Sequence, residues 1–352
     1  MTSRTFAPAT VTAATAVTTA SGPGPIGRRR LLMMAAVLPL AGWRIAQHAQ
    51  AAPLRWEGVA LGAPASLVLH HGGDTQRAQA ALTATLAEVA RLEAMFSLFR
   101  ADSWLSRLNR AGRIDNAPPE FIALLRTALD MAALSHGLFD PSVGPLWTLY
   151  FDHFVVGGNT KPPAVDKVAS AKALVGWRGV QLSGSGVRLT QPGMGLTLNG
   201  VGQGFITDRC AEVLHAHGFT NVLVDMGEPR ACAAKPDGSA WQIGLADPRQ
   251  PGRALHTVSV IDQAVATSGG YGTLLDAAGL YTHLINPHTG HTAPAFESVT
   301  VLAPTATQAD ALSTTLALIP NSDVSARLAL LRTQPGCRAI CINGAGLVSE
   351  LS

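Results

Sequence analysis

The stretch formed by residues 196–232 limits the fold of this chain more than any other part of its sequence. It begins within a short apolar segment, residues 195–198, that predicts a strand and leads into three alternate glycines, Gly200, Gly202 and Gly204. Apolar side chains at helical spacing then predict a helix that ends at Gly218. Residues 221–225 predict another strand, so the stretch predicts a strand, a glycine-rich turn, a helix and a second strand.

The glycine-rich turn is a candidate anion site. Glycines let a backbone approach a ligand closely, and the start of a helix offers free N–H groups and a positive dipole end. The Gly-x-Gly-x-Gly spacing differs from the dinucleotide fingerprint and from the P-loop. The glycines could equally serve only to let the helix pack close to a strand, and the spacing alone does not choose between these interpretations.

The rest of the composition favours one large folded unit without a nucleic-acid partner. Hydrophobic residues make up 47% of the 352 residues, which is enough to bury an extensive core. Residues 1–51 hold five arginines and no acid, so the remaining residues carry 21 basic and 23 acidic side chains. The near-neutral remainder gives no support to nucleic-acid binding. No C-x-x-C pair is present, and apolar surroundings favour free buried thiols at Cys210, Cys232, Cys337 and Cys341.

The first 51 residues are typical of an export leader. Three arginines, residues 28–30, precede an apolar run over residues 31–41, and Ala49-Gln50-Ala51 offers a small-x-small cleavage site. The paired arginines predict the twin-arginine route and a periplasmic protein. We therefore divide the chain into a leader, residues 1–51, and a single domain, residues 52–352. An uncleaved leader that anchors the protein in the membrane stays open as the alternative.

The order of the predicted elements favours an α+β fold. Helices are predicted after Asp74, after Pro118, within residues 152–192, before Gly218 and over residues 308–318. Strands are predicted over residues 55–69, 241–246, 257–261, 264–267, 281–286, 298–303 and 338–343, beside those already named and two within 152–192. A polar tail is expected after residue 343, and the polar groups of Ser103 and Asn109 are expected in a loop. Strands and helices do not alternate regularly, which argues against a doubly wound sheet.

Two residues of the helix over 308–318 are a candidate cation site. Asp310 and Thr314 are four residues apart and share one helix face with the apolar Ala311 and Leu318. An acid on a buried face needs a partner, and oxygen ligands suit Mg²⁺ or Ca²⁺. Asp310 could instead interact with the end of its own helix, and the spacing weighs the two interpretations evenly.

Three further sites could take part in chemistry. The turn Thr267-Ser268-Gly269 could present hydroxyl and N–H groups to a phosphate, although any such turn has the same composition. His283 could act as a base, or could be a hydrogen-bonded core residue. Asp140 precedes Pro141, which extends its backbone; its simpler role is to cap a turn.

These motifs occur in an order that resembles the ApbE family, the FAD:protein FMN transferases. The resemblance covers roughly residues 55–350 and rests on the segments FSLFRADSWLSRLN, SHGLFDPSVGPL, LNGVGQGFITD, AVATSGGYG, YTHLINPHTG and SVTVLAPTATQADALSTTLA. Within the family, the sequence of residues 198–231 resembles the NosX branch, which is tied to nitrous-oxide respiration. Many members have Lys or Glu in place of Gln203, Gly-Gly-Asp in place of Gly227-Glu228-Pro229, and Asp in place of Asn286.

The resemblance implies a T-fold-like α+β architecture with antiparallel or mixed sheets, packed helices and a central cleft for FAD. It implies Mg²⁺ bound by the backbone carbonyl of Gly202 together with Asp310 and Thr314. His283, as the general base, and Asp208 match catalytic positions. The residues expected to contact FAD are Phe96, Ser97, Asp140, Asn199, Gly200, Gly202, Gln203, Thr267, Ser268, Gly269, His283 and Ile285.

The implied reaction attaches FMN through a phosphoester to a Thr or Ser of an acceptor protein and releases AMP. The resemblance to the NosX branch implies an exported or membrane respiratory acceptor of the NosR type. The departures at Gln203 and Asn286 keep a second interpretation open, in which the protein carries FAD without catalysis. A third is an FAD pyrophosphatase, in which water replaces the acceptor hydroxyl.

Overall fold

A computed structural model of the chain describes residues 51–60, 62–293, 297–320 and 322–352, so the predicted leader lies outside the described residues. The helices are α1 (Thr75–Phe96), α2 (Trp104–Ala111), α3 (Pro119–Leu134), α4 (Gly144–Tyr150), α5 (Val165–Lys172), α6 (Gly202–Ala216), α7 (Ala306–Ala317) and α8 (Val324–Arg332). The strands are β1 (Leu54–Ala60), β2 (Ala63–Leu69), β3 (Arg113–Ile114), β4 (Val180–Ser183), β5 (Gly186–Leu189), β6 (Val222–Asp225), β7 (Pro229–Cys232), β8 (Trp241–Asp247), β9 (Gln250–Val260), β10 (Gln263–Gly269), β11 (Ser298–Ala303), β12 (Arg338–Ile342) and β13 (Val348–Leu351).

An eight-stranded sheet in the order β1-β2-β6-β7-β10-β11-β12-β13 forms the centre of the fold. Each of its neighbouring pairs is antiparallel. Side chains alternate between its two faces, because a strand has a period of two residues. Val222 and Val224 pack with the helices on one face, whereas Leu223 packs against the β8–β9 hairpin on the other. This arrangement confirms the predicted α+β class with antiparallel sheets.

Several predicted local elements are confirmed. Asp74 caps α1 by accepting a hydrogen bond from the Arg77 amide. The helix after the glycine-rich turn ends before Gly218, whose φ is +81°. The four cysteines are free, with Cys210 and Cys341 buried and the other two partly exposed. Among the helices of the described ranges, none combines the length and apolar character needed to cross a membrane.

Other local predictions are wrong. Residues 195–198 form no strand, and only Gly195 makes an isolated bridge, with Val143. Residues 281–286 form two isolated bridges instead of a strand, since their backbone pairs with neighbouring loops. Asn109 lies on α2 instead of in a loop, and the expected polar tail contains β13, which pairs with β12. Helix α8 was not predicted.

Candidate active site

A cleft of about 460 Å³ opens beside the sheet. Its walls come from the β1–β2 hairpin, the ends of β6 and β10, part of β8, the face of α7 and four connecting segments. Those segments are residues 138–147, 197–203, 271–273 and 283–287. The volume lies within the range of about 300–1,000 Å³ that small-molecule sites occupy.

The glycine-rich turn borders this cleft because two of its glycines permit close packing. A Cβ on Gly200 would lie 3.0 Å from Thr314 Oγ1, so the turn contacts the predicted cation face directly. A Cβ on Gly204 would lie 2.3 Å from the carbonyl oxygen of Ala306, which only a glycine allows. Gly204 therefore lets α6 pack closely, although against the helix α7 instead of a strand, and anion binding at the turn stays a prediction.

Helices α6 and α7 each contribute a carboxylate that accepts hydrogen bonds from the first turn of the other helix. Asp310 of α7 accepts a hydrogen bond from the Gly204 amide of α6, with a distance of 3.0 Å to Oδ2. Asp208 of α6 accepts from the amides of Ala306 and Thr307 at the start of α7, both at 2.9 Å. Each acid thus satisfies N–H groups that a helix leaves unpaired in its first turn. We call this arrangement the reciprocal cap.

The reciprocal cap corrects the prediction for Asp208. Its carboxylate also pairs with Arg230, 2.5 Å from Nη1, and with the Thr307 hydroxyl, so its oxygens are occupied. Asp208 lies outside the cleft lining, whereas Asp310 lines the cleft. A catalytic role for Asp208 therefore has no support in this geometry, because a catalytic group must reach the reacting atoms.

Four buried acids line the cleft, and three of them, Asp225, Glu228 and Asp310, are close enough to interact electrostatically; the fourth is Asp140. Burial raises the pKa of Asp225 to about 6 and that of Asp310 to about 7. Burial, followed by the neighbouring Asp310 and Asp225, raises the pKa of Glu228 well above its usual value. No Lys or Arg is among the described residues that line the cleft.

This charge pattern fits a divalent cation. Like charges in a low-dielectric site repel and favour protonation, and a bound cation removes that repulsion. A pyrophosphate would find no basic side chain along the described walls, so its negative charge also calls for a cation. Asp310 and Thr314 offer the hard oxygen ligands that Mg²⁺ prefers, and both face the cleft.

The turn at the end of β10 brings hydroxyl groups to the same wall. Ser268 Oγ lies 2.8 Å from Ser313 Oγ and 3.2 Å from Thr314 Oγ1. The Thr267 amide donates to Glu228 Oε2 at 3.1 Å, which connects the turn to the acids. The predicted turn and the predicted cation face therefore lie side by side.

His283 also lines the cleft. Its Nδ1 lies 3.3 Å from the carbonyl oxygen of Thr273, which favours a proton on Nδ1 and leaves Nε2 as the acceptor. Burial lowers the pKa of this imidazole below its usual value. His283 is therefore neutral near pH 7 and can accept a proton at Nε2.

Two polar side chains fix the backbone of the cleft instead of pointing at a ligand. Asp140 accepts from the Ser142 amide at 2.8 Å and from the Trp177 amide at 3.0 Å, so it caps a turn although it borders the cleft. Asn109 bonds both backbone groups of Leu196, accepting from N at 2.7 Å and donating to O at 2.8 Å. The Asn109 side chain thus replaces a strand partner for the segment before the glycine-rich turn.

Phe96 and Ser97 also act indirectly. Phe96 is buried against Phe121 and Phe205, and Ser97 Oγ accepts the amide of Phe99 at 3.1 Å. The resulting turn leaves Phe99 78% exposed and edge-on to Trp147, which lines the cleft. An aromatic surface therefore extends from the cleft wall to the outside.

The cleft brings together most of the predicted site residues: Asp140, Asn199, Gly200, Gln203, Thr267, Ser268, Gly269, His283, Ile285, Asp310 and Thr314. Phe96, Ser97, Gly202 and Asp208 lie outside its lining. Sequence reasoning missed Asp225 as a site residue and treated Glu228 only as a departure from the sequence pattern of the family. The available signal was their position, since Asp225 ends a buried strand and Glu228 follows it in a Met-Gly-Glu turn.

The sequence profile of the ApbE family matches residues 61–341. This chain belongs to the ApbE family. A Treponema pallidum protein named FAD:protein FMN transferase is 33% identical over 300 residues, which cover 76% of this chain and 79% of that protein. The protein of the same name from Klebsiella pneumoniae is 28% identical over 261 residues, covering 70% of this chain and 73% of its own.

Solved ApbE structures share the fold. The ApbE protein of Thermotoga maritima aligns with a TM-score of 0.76 at 24% identity and covers 85% of this chain and 97% of its own. The apo flavinyl transferase ApbE of Pseudomonas stutzeri aligns with a TM-score of 0.72, also at 24% identity, over 85% of this chain and 95% of its own. The predicted ApbE architecture is therefore confirmed.

Proposed function

We propose that this chain is a Mg²⁺-dependent FAD:protein FMN transferase. The observation that carries the proposal is the cleft itself, which is lined by buried acids, the hydroxyl groups of Thr267, Ser268 and Thr314, and a neutral histidine, without a basic side chain among the described lining residues. Curated relatives that span most of this chain bear the name of that activity. The chemistry of the cleft and the family therefore point to the same reaction.

Asp310 and Thr314 would hold the cation, with a backbone carbonyl of the glycine-rich turn as a further ligand. A divalent cation there supplies positive charge that offsets the doubly negative pyrophosphate of FAD. The N-terminal end of α6 and the hydroxyls of Thr267 and Ser268 would orient the phosphates. Trp147 and the neighbouring Phe99 offer a flat apolar surface to the flavin ring.

The reaction transfers the FMN part of FAD to a hydroxyl. The oxygen of an acceptor Thr or Ser bonds to the phosphorus that carries riboflavin, and the bond from that phosphorus to the bridging oxygen breaks. AMP leaves with the bridging oxygen, and the hydroxyl proton passes to Nε2 of His283. The chain's contribution is to align the three reacting atoms and to hold the proton acceptor in its neutral form.

The acceptor that we propose is an exported or membrane respiratory protein of the NosR type. The NosX-like sequence of residues 198–231 and the arginine-rich leader support this proposal. Export by the twin-arginine route would place the enzyme in the periplasm, either free or held by an uncleaved leader.

The test combines the purified protein with FAD, Mg²⁺ and an acceptor domain that an established family transferase modifies in parallel. A Mg²⁺-dependent fluorescent band in a denaturing gel, with an FMN-sized mass increase on a Thr or Ser, is the expected result. Free FMN and AMP without an adduct would identify a pyrophosphatase instead. Stoichiometric FAD that is retained without turnover would identify a carrier.

A further inference from the structure

The strand β1 is the accessible edge of the sheet that borders the cleft. It lies at one end of the eight-stranded sheet and pairs only with β2 among the described strands. Glu57 and Gly58 of β1 line the cleft. The opposite edge strand, β13, contributes nothing to the cleft lining, and β8 is buried from residue 243 to residue 247.

The register of the β1–β2 hairpin shows which backbone groups face outward. Val59 lies opposite Pro64, which has no N–H, so this pair cannot exchange the two hydrogen bonds of a closely bonded pair. The bonded pairs therefore fall on alternate positions, such as Gly58 opposite Ala65. The N–H and C=O groups of Arg55, Glu57 and Val59 consequently point away from β2, along the free edge.

Apart from the charged side chains of Arg55 and Glu57, this edge lacks the usual devices that prevent strand addition. Its seven residues pair with β2 in continuous register from Leu54 to Ala60, without a bulge, a proline or a lysine. Val59 is an apolar residue that is 70% exposed on this strand. A regular edge strand of this kind is a template for another extended segment.

We propose that β1 binds the acceptor polypeptide as an added antiparallel or parallel strand, which places its Thr or Ser at the mouth of the cleft. The inference rests on the proposed transferase function, since that reaction needs a polypeptide to reach the phosphate. An added strand lies about 4.8 Å from its neighbour and turns alternate side chains to the same face. Main-chain bonds to β1 provide affinity with little demand on sequence, as in other strand-addition complexes.

The first test removes one outward N–H by the substitution Val59→Pro. Proline is tolerated at an edge-strand position whose N–H makes no ladder bond, and Val59 lies outside the cleft lining. We expect the KM for the acceptor domain to rise at least about fivefold, from the lost backbone hydrogen bond, while the Kd for FAD and the Tm stay unchanged. Val59→Thr keeps the N–H and serves as the matched control with an unchanged KM.

The second test does not depend on the stability of a variant. The unaltered enzyme is assayed with the acceptor domain in the presence of short competing peptides that span the residue to be modified. Each peptide carries one N-methylated amide, and the methylated position moves along the series by one residue at a time. Strand addition predicts that inhibition weakens at every second position. Equal KM values for Val59→Pro and Val59→Thr, or inhibition without that period, would overturn the docking site and leave the transferase function intact. An unaltered protein that transfers no FMN, while the parallel enzyme does, overturns both.

Discussion

Replacing Asp208 by Asn separates a capping role from a catalytic one. The Asp208 carboxylate accepts hydrogen bonds from two amides of α7, from the Thr307 hydroxyl and from Arg230, which is only about one-fifth exposed. Losing a helix cap costs about 0.5–2 kcal/mol, and losing a hydrogen bond to a charged group costs about 1.5–3 kcal/mol. Because Asn retains one acceptor oxygen, we expect a loss of about 2–3 kcal/mol in the free energy of unfolding.

Chemical denaturation is the measurement, with FAD turnover followed at a temperature where both proteins are folded. Glu212→Gln is the matched control, because this acid lies on the same helix, is exposed and pairs only with Arg209 among the described residues; its stability should change by less than about 0.5 kcal/mol. A general acid or base contributes about 10²–10⁴-fold to turnover. A loss of that size in Asp208→Asn at saturating Mg²⁺, with unchanged stability, would refute the capping role and restore the catalytic one.

Two further predictions follow from the geometry of the cleft. Gly204→Ala should destabilise the protein by about 1–3 kcal/mol, because its Cβ would meet the Ala306 carbonyl at 2.3 Å, whereas Gly202→Ala has open space and should be nearly neutral in thermal unfolding. Equal melting temperatures for the two variants would contradict the close approach of α6 and α7. At saturating Mg²⁺, which keeps Asp310 ionised, the kcat/KM for transfer should be level at neutral pH and fall only as pH drops below 6.5, since burial lowers the pKa of His283. In His283→Gln the transfer rate should fall about 10²–10⁴-fold, and the decrease of kcat/KM at low pH should disappear. A pH profile that is unchanged in the variant would exclude His283 as the base.

Local patterns predicted much of the fold. The apolar stripe and the Asp74 cap fixed the start of α1, since both signals act within a few residues. The period of two in the strands separated the two faces of the sheet, and the irregular order of elements gave the α+β class. These features depend on short-range chemistry, so a sequence displays them directly.

The failures come from partners that are distant in sequence. Residues 195–198 are apolar like a strand, but the side chain of Asn109 takes up the backbone groups of Leu196 that a neighbouring strand would use. Strand β13 exists because β12 offers an edge, although its own exposed residues carry no strand pattern. A local sequence pattern cannot predict hydrogen bonds between residues that are this far apart along the chain.

Asp208 shows the same limit within the site. The family resemblance marked the position, but whether a carboxylate binds a ligand or caps a helix depends on what lies opposite it. Here the start of α7, 98 residues along the chain, occupies both oxygens. The spacing from Thr314 left Asp310 open to a cation or to a helix end, and the structure places both side chains at the cleft while Asp310 also accepts the Gly204 amide of α6.

This double use of Asp310 gives the last prediction. Asp310→Asn keeps an oxygen for the Gly204 amide but removes the charge, whereas Asp310→Ala removes both. Because burial raises the pKa of Asp310, the Asn variant should be at least as stable as the unaltered protein in a chelator, and the Ala variant less stable. Mg²⁺ at about 100 times its Kd should stabilise the unaltered protein by about 2.7 kcal/mol and neither variant. Transfer should be lost in both variants, and an Asn variant that Mg²⁺ still stabilises and activates would show that the cation binds elsewhere.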